Sequence, residues 1–269
     1  MLRSPAVAGK FYPANPGELS SLIAQFTQKN PAVEPVHVRA CLVPHAGYVY
    51  SGMVAGAVFS SVFLPKKILL LGVRHYPRGA ALAILSEGSW RTPLGDAPID
   101  SSLAQRFRAA CPALREDTVA HSQEHSLEVQ LPFLQQLDAG FSFVPVVLGT
   151  IRFDQLVEVG EGIARVLSEE KEEILVVTSS DMNHYEDDEK TRRKDRKAID
   201  AMLQLDAKGL FQVCRDEEIS MCGLGPAVTM LTAMQRLGAK KANLVRYGTS
   251  GDIIGDRDAV VGYAGMTFA

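Results

Sequence analysis

Seven short apolar runs punctuate the chain, at residues 38–43, 68–73, 82–85, 143–148, 174–178, 242–247 and 259–267. They are rich in β-branched residues and bounded by Gly, Pro or polar positions, which is the pattern of buried strands. Amphipathic stretches at 17–28, 51–63, 100–110, 124–138, 153–168, 187–203, 206–214 and 225–237 predict helices. In 124–138, Leu127, Leu131 and Leu134 share one face, but Pro132 lies inside the stretch. Lys29–Pro35 contains two prolines and reads as a loop. Strands alternating with helices predict an α/β fold with a central, largely parallel or mixed sheet flanked by helices. No repeat, low-complexity segment or composition shift divides residues 1–269, so a single domain is expected.

The polar residues are informative by position. Run 38–43 ends in Pro44-His45-Ala46-Gly47, run 68–73 in Arg74-His75, and run 174–178 in Ser179-Ser180-Asp181-Met182-Asn183-His184. Open α/β sheets bind ligands outside the carboxyl ends of their strands. If these strands are parallel, His45, His75 and His184 share one rim. A histidine at a strand end can equally be a loop anchor; three of them together point to a polar pocket. Cys222, in Met221-Cys222-Gly223-Leu224-Gly225-Pro226, precedes a helix start, where the dipole favours thiolate, the form that ligates metal or attacks carbon. Asp181 is spaced to hold the ring of His184, or to cap the following helix. Glu124 and Glu128 share a face in Glu124-His125-Ser126-Leu127-Glu128, where acids in a first helical turn serve as caps.

Composition narrows the function classes. Hydrophobic residues make up 46% and charged residues 22%, enough apolar material for a sizeable core. The net charge of −3 and the lack of a basic run give no footprint for nucleic acid. The mixed charges of 186–197 suit a solvated helix face. No apolar stretch is long enough to span a membrane, and no signal core follows Met1, so a cytoplasmic location is expected. Cys41, Cys111, Cys214 and Cys222 form no C-x-x-C pair and are expected to be thiols, with Cys41 and Cys214 in the core and Cys111 in a loop. Gly248-Thr249-Ser250-Gly251-Asp252 lacks both the Walker lysine and dinucleotide-binding spacing, so nucleotide binding is discounted.

Several segments together resemble the Memo family, also called AmmeMemoRadiSam system protein B. They are Arg3–Pro13, Pro44–Gly52, Thr92–Gly95, Glu124–Glu128, Ser179–Tyr185, Cys222-Gly223 and Val260–Tyr263, spread over nearly the whole chain. The resemblance implies a fold similar to the class III extradiol dioxygenases, which hold non-haem iron with two histidines and a carboxylate. In the Memo family two histidines and a cysteine take those places, which implies His45, His75 and Cys222 as metal ligands. It also implies His184 as an acid–base histidine, with Asp181 in the same pocket and Tyr50, His125 and Glu124 lining it for substrate. Arg74 departs from the small or polar residue usual before the second histidine, and so bears on substrate. Two imidazoles and a thiolate suit Fe(II), the first expectation, as well as Cu(I) or Zn(II). The implied function is a metal-dependent oxidoreductase or dioxygenase-like enzyme acting on an unassigned small molecule. One alternative is a non-catalytic metal, redox or peptide-binding partner of a radical SAM enzyme and an AMMECR-type protein. Another is a hydrolase or transferase with Cys222 as nucleophile and His184 as its base.

Overall fold

The computed structural model describes residues 1–27, 34–138 and 140–269. The chain runs β1 (Leu2–Arg3), α1 (Pro16–Phe26), β2 (Ala40–Val43), α2 (Tyr48–Ser61), β3 (Lys67–Val73), β4 (Leu82–Ile84), β5 (Ser89–Thr92), β6 (Gly95–Pro98), α3 (Ser101–Ala110), β7 (Arg115–Glu116), α4 (Thr118–Ser122), α5 (His125–Glu128), α6 (Leu131–Leu137), β8 (Ser142–Leu148), α7 (Phe153–Glu169), β9 (Ile174–Ser179), β10 (His184–Glu186), α8 (Asp188–Leu203), α9 (Ala207–Asp216), α10 (Leu224–Arg236), β11 (Ala242–Thr249), α11 (Gly251–Ile254) and β12 (Val260–Phe268). Each of the seven apolar runs contains a strand. The loop expected over 29–35 lies outside the described residues except for its last two positions.

The large sheet has the order β10-β12-β2-β9-β3-β8-β4-β7, with β11 also pairing β12. Its centre is parallel: β2, β9, β3 and β8 run side by side in one direction. Antiparallel strands flank that centre, β12 against β2 and β4 against β8, so the sheet is mixed. A second sheet, β1-β5-β6, covers the N-terminal side. The parallel strands are buried on both faces, as continuous apolar runs require. Side-chain alternation divides the core in two. Leu69, Leu71, Val144, Val146 and Val176 join Ile163, Met230 and Leu231 from α7 and α10. Ile68, Leu70, Val147, Leu175 and Val177 join Leu19, Val58, Phe59 and Phe133 from α1, α2 and α6 on the opposite face.

One local expectation changes. The helix expected over 124–138 is broken into α5 and α6, with Pro132 in the first turn of α6. A proline ring clashes with the carbonyl four residues back in a continuous helix, so the chain restarts its helix just ahead of Pro132. Cys111 lies in the loop that follows α3, as expected, and is buried there, with its Sγ 3.5 Å from the Val159 carbonyl.

Glu128 does not act as a cap. Its carboxylate accepts from the Arg3 guanidinium at 2.7 Å, from the backbone N–H groups of Ala6 and Val7, and from the Tyr12 hydroxyl. Arg3 further donates to the carbonyls of His121 and Glu124 and lies over the Trp90 ring. The N-terminal segment is thereby tied to the short helix that carries His125. Among the described residues, no helix is long and apolar enough to cross a membrane.

Candidate metal centre

Adjacent parallel strands deliver the polar residues to one rim: His45 follows β2, Asp181 and His184 follow β9, and His75 follows β3. α5 lies across the end of β3 and adds Glu124 and His125. This close approach requires Gly72, because a Cβ there would stand 2.6 Å from both Leu127 and Ser126. Cys222 enters from the loop before α10. Gly223 seats that loop, since its amide donates to the Ser180 hydroxyl at 2.9 Å and a Cβ would lie 2.3 Å from the Ser180 Cβ.

The ligand atoms of His45, His75 and His125 all lie within 4.8 Å of one another. The rings of His75 and His125 are stacked with centroids 4.3 Å apart, and His45 meets both edge-on at 5.1 and 5.6 Å. Cys222 Sγ stands 3.2 Å from His45 Nε2. His45 is 2% exposed, whereas 27% of the His75 side chain is open to solvent. The pocket therefore has a dry floor and an accessible side.

Hydrogen bonds fix the tautomers of two of the rings. The Ser179 hydroxyl donates to the Ser126 carbonyl at 2.7 Å and accepts from Gln130 Nε2 at 3.0 Å. Its remaining lone pair faces His45 Nδ1 at 2.9 Å, so Nδ1 carries the proton and Nε2 is bare toward Cys222. His75 Nδ1 donates to Glu124 Oε1 at 2.9 Å, while its backbone N–H donates to Oε2 at 2.7 Å, which again leaves Nε2 bare. A carboxylate behind a ligating histidine fixes the ring and raises its basicity. Glu124 also caps α5 by accepting from the Ser126 N–H, so the capping role expected of it and a role in the site coexist.

The donor set fits a metal ion. Nitrogen and sulfur on one tetrahedral ion, at ordinary bond lengths, lie about 3.5 Å apart. The 3.2 Å between His45 Nε2 and Cys222 Sγ is close to that span. Two bare imidazole nitrogens and a thiol are the donors that borderline and soft cations take.

The relation expected between Asp181 and His184 is different. Asp181 Oδ1 accepts from the backbone N–H groups of His45 and Ala46, at 2.7 and 3.3 Å. His184 Nδ1 donates instead to the Ser220 carbonyl at 2.9 Å, and its backbone N–H donates to the Ser220 hydroxyl. Ser220 thus orients His184, and Asp181 shapes the loop of His45. The thiolate expected of Cys222 is also countered. Burial, then the neighbouring Asp181 carboxylate, push the thiol well above its ordinary value and outweigh the helix start. Tyr50 sits in the first turn of α2, 39% exposed. Arg74 runs over Gly149 at the end of β8 and donates to the Gly79 carbonyl, on the side of His75 away from β2 and β9. Gln130 and Ser220 carried no signal in the sequence, and Ser179 showed only as the first residue of the Ser179–Tyr185 segment, because such side chains become site residues only through their contacts.

Electrostatics hold His45 and His125 neutral. Burial, then the facing His75, lower His45 well below the ordinary histidine range. Burial, then His45 and His75, bring His125 down to about 4. Burial raises Glu124, but the hydrogen bonds from His75 and Ser126 outweigh it and hold the carboxyl at about 2. A carboxyl depressed in the folded state contributes stability that is complete above its unfolded value near 4.5 and is lost as pH falls through about 2. The stability difference between the wild type and Glu124→Gln is therefore expected to shrink, by on the order of 3 kcal/mol, between pH 5 and pH 2. Urea unfolding across that range measures it, and a constant difference would remove Glu124 as the ionised partner of His75.

Comparison with known proteins covers nearly all of the chain. The family described as Memo-like protein matches residues 3–267. A MEMO1 family protein of Methanopyrus kandleri is 39% identical over 282 residues, covering 100% of this chain and 99% of its own. A MEMO1 family protein of Methanocaldococcus jannaschii is 41% identical, over 98% of this chain and 97% of its own. One from Aquifex aeolicus is 40% identical, over 99% of each. Among solved structures, an uncharacterized protein from Escherichia coli K12 superposes with a TM-score of 0.56 at 13% identity, over 86% of this chain and 100% of its own, a likeness of fold.

Proposed function

The chain belongs to the Memo family, and from that premise we propose that its pocket is a mononuclear metal centre held by His45, His75 and Cys222, serving oxidation–reduction chemistry on a small molecule. The observation that carries the reading is the paired pinning of two histidines at Nδ1, by Ser179 and by Glu124, which leaves both Nε2 atoms bare, that of His45 beside the Cys222 thiol. The family's fold, similar to that of the class III extradiol dioxygenases, is consistent with such a centre. When bound, an ion such as Fe(II) supplies one-electron chemistry and open coordination positions that three protein ligands leave free.

The chain's own residues divide the remaining work. Glu124 and Ser179 hold the two imidazoles in the ligating tautomer. His184, its Nδ1–H committed to the Ser220 carbonyl, keeps Nε2 to take or return a proton. Asp181 fixes the backbone of His45 and Ala46, and so the depth at which His45 enters the pocket. The half-open side at His75 is the route for substrate.

Nucleophilic catalysis by Cys222 is the weaker reading. The nearest base is His45 rather than His184, and burial disfavours the thiolate that attack requires.

Anaerobic titration with Fe(II) and with Cu(I) tests the proposal. The wild type is expected to bind about one equivalent, and His45→Ala and Cys222→Ala to lose it. Oxygen uptake by the Fe(II)-loaded wild type, absent in both variants, is the accompanying redox result. No saturable binding by the wild type would end the metal reading.

A further inference from the structure

Asn183, next to His184, is 1% exposed, yet each of its polar atoms has a partner. Its backbone N–H donates to Asp195 Oδ1 at 2.8 Å, and its carbonyl accepts from the Gly262 N–H at 2.9 Å. Its side-chain Oδ1 accepts from the Ser220 N–H at 3.0 Å and from the Ser220 hydroxyl at 3.1 Å. Its Nδ2 donates to Glu186 Oε2 at 2.7 Å. The Ser220 N–H can only donate, and the Glu186 carboxylate, paired with Lys190 and Lys194, can only accept, so the carboxamide has one orientation. Ser220 passes that orientation on. With its proton directed at Asn183, its hydroxyl accepts from the His184 N–H at 2.8 Å, and its carbonyl accepts from His184 Nδ1–H at 2.9 Å. The backbone is bent at the same place. Tyr185 has a φ of 60°, a left-handed conformation that a bulky side chain rarely takes, and the register of β10 against β12 shifts there. Tyr185 is 77% exposed, so packing of its own side chain does not account for the bend. The bend brings Glu186 round to Asn183, three residues back. Backbone strain of this kind gathers where the geometry it produces is used.

We propose that Asn183 is the positioning residue of His184: clamped by Glu186, its carboxamide seats Ser220 and so holds His184 in the Nδ1–H tautomer with Nε2 bare. This rests on the reading of His184 as the group that takes and returns a proton. Ser220 lies two residues before Cys222 in the loop between α9 and α10. That loop is also seated through Gly223 and Ser180, so loss of Asn183 is expected to free the His184 ring while leaving Cys222 in place.

Nitrogen-15 NMR of the metal-free chain, labelled at its imidazoles and held at alkaline pH where histidine is neutral, reads the tautomer of each ring. The His184 signal is assigned by its loss in His184→Gln. The wild type is expected to show His184 wholly in the Nδ1–H form. Asn183→Leu, close to asparagine in size but without polar atoms, is expected to show a mixture of the two forms. Asn183→Asp combined with Glu186→Gln reverses the clamp, because the new amide at 186 donates where Asn183 Nδ2 did, and this pair is expected to restore the single form. A mixed or Nε2–H ring in the wild type overturns the proposal and needs no variant to fold. A single Nδ1–H form in Asn183→Leu, or a mixture in the paired variant, overturns it as well. The spectrum is taken without metal, so a wild type that binds no Fe(II) would end the metal centre and leave this result standing.

Discussion

Glu128→Ala is expected to lower stability by about 3–5 kcal/mol, measured by urea unfolding at neutral pH. The substitution strands the Arg3 guanidinium, whose side chain is only 7% exposed, without its carboxylate. It also leaves the amides of Ala6 and Val7 and the Tyr12 hydroxyl without an acceptor. Replacing both charges at once, Arg3→Met with Glu128→Leu, is expected to recover only part of the loss. That change cures the unpaired charge but not the two unpaired amides. A loss below about 1 kcal/mol for Glu128→Ala would mean that water replaces the carboxylate and that the N-terminal segment is not buried as described.

The second large effect falls on metal affinity. Glu124→Gln keeps the shape and the acceptor for capping α5 but removes the charge behind His75. Second-sphere partners of this kind are worth 10- to 100-fold in affinity, and a decrease of about that size is expected in a Zn(II) competition titration. At neutral pH the melting temperature of the variant without added metal reports the structural part of the change separately. Equal affinity in the two proteins would show that the Glu124–His75 pair serves the fold of α5 rather than the ion.

The strands were legible because buried parallel strands write themselves as unbroken apolar runs; Lys67–Val73 and Ile174–Ser179 are examples. The rim followed from that pattern, since three runs each end within a few residues of a histidine. The short strand β5 and the short edge strands β7 and β10 were not legible. Arg115–Glu116 and His184–Glu186 carry no apolar alternation and exist only through pairing with β4 and β12. Glu124 was visible as a helix cap, but its hold on His75 joins residues 49 positions apart, a distance that no local pattern reports. Asp181 and His184 were read as partners from their closeness in sequence. The turn between them instead sends one toward the His45 loop and the other toward Ser220. Cys222 was judged by its helix start alone, and burial reversed that judgement, because burial depends on what the rest of the fold lays over the thiol.

X-ray absorption at the metal edge, on chain loaded anaerobically with one equivalent of Fe(II), reads the ligand set itself. One sulfur at about 2.3 Å together with imidazole nitrogen at about 2.0–2.2 Å is expected, with loss of the sulfur shell in Cys222→Ser. A first shell of nitrogen and oxygen only, unchanged by that substitution, would contradict a metal centre held by His45, His75 and Cys222.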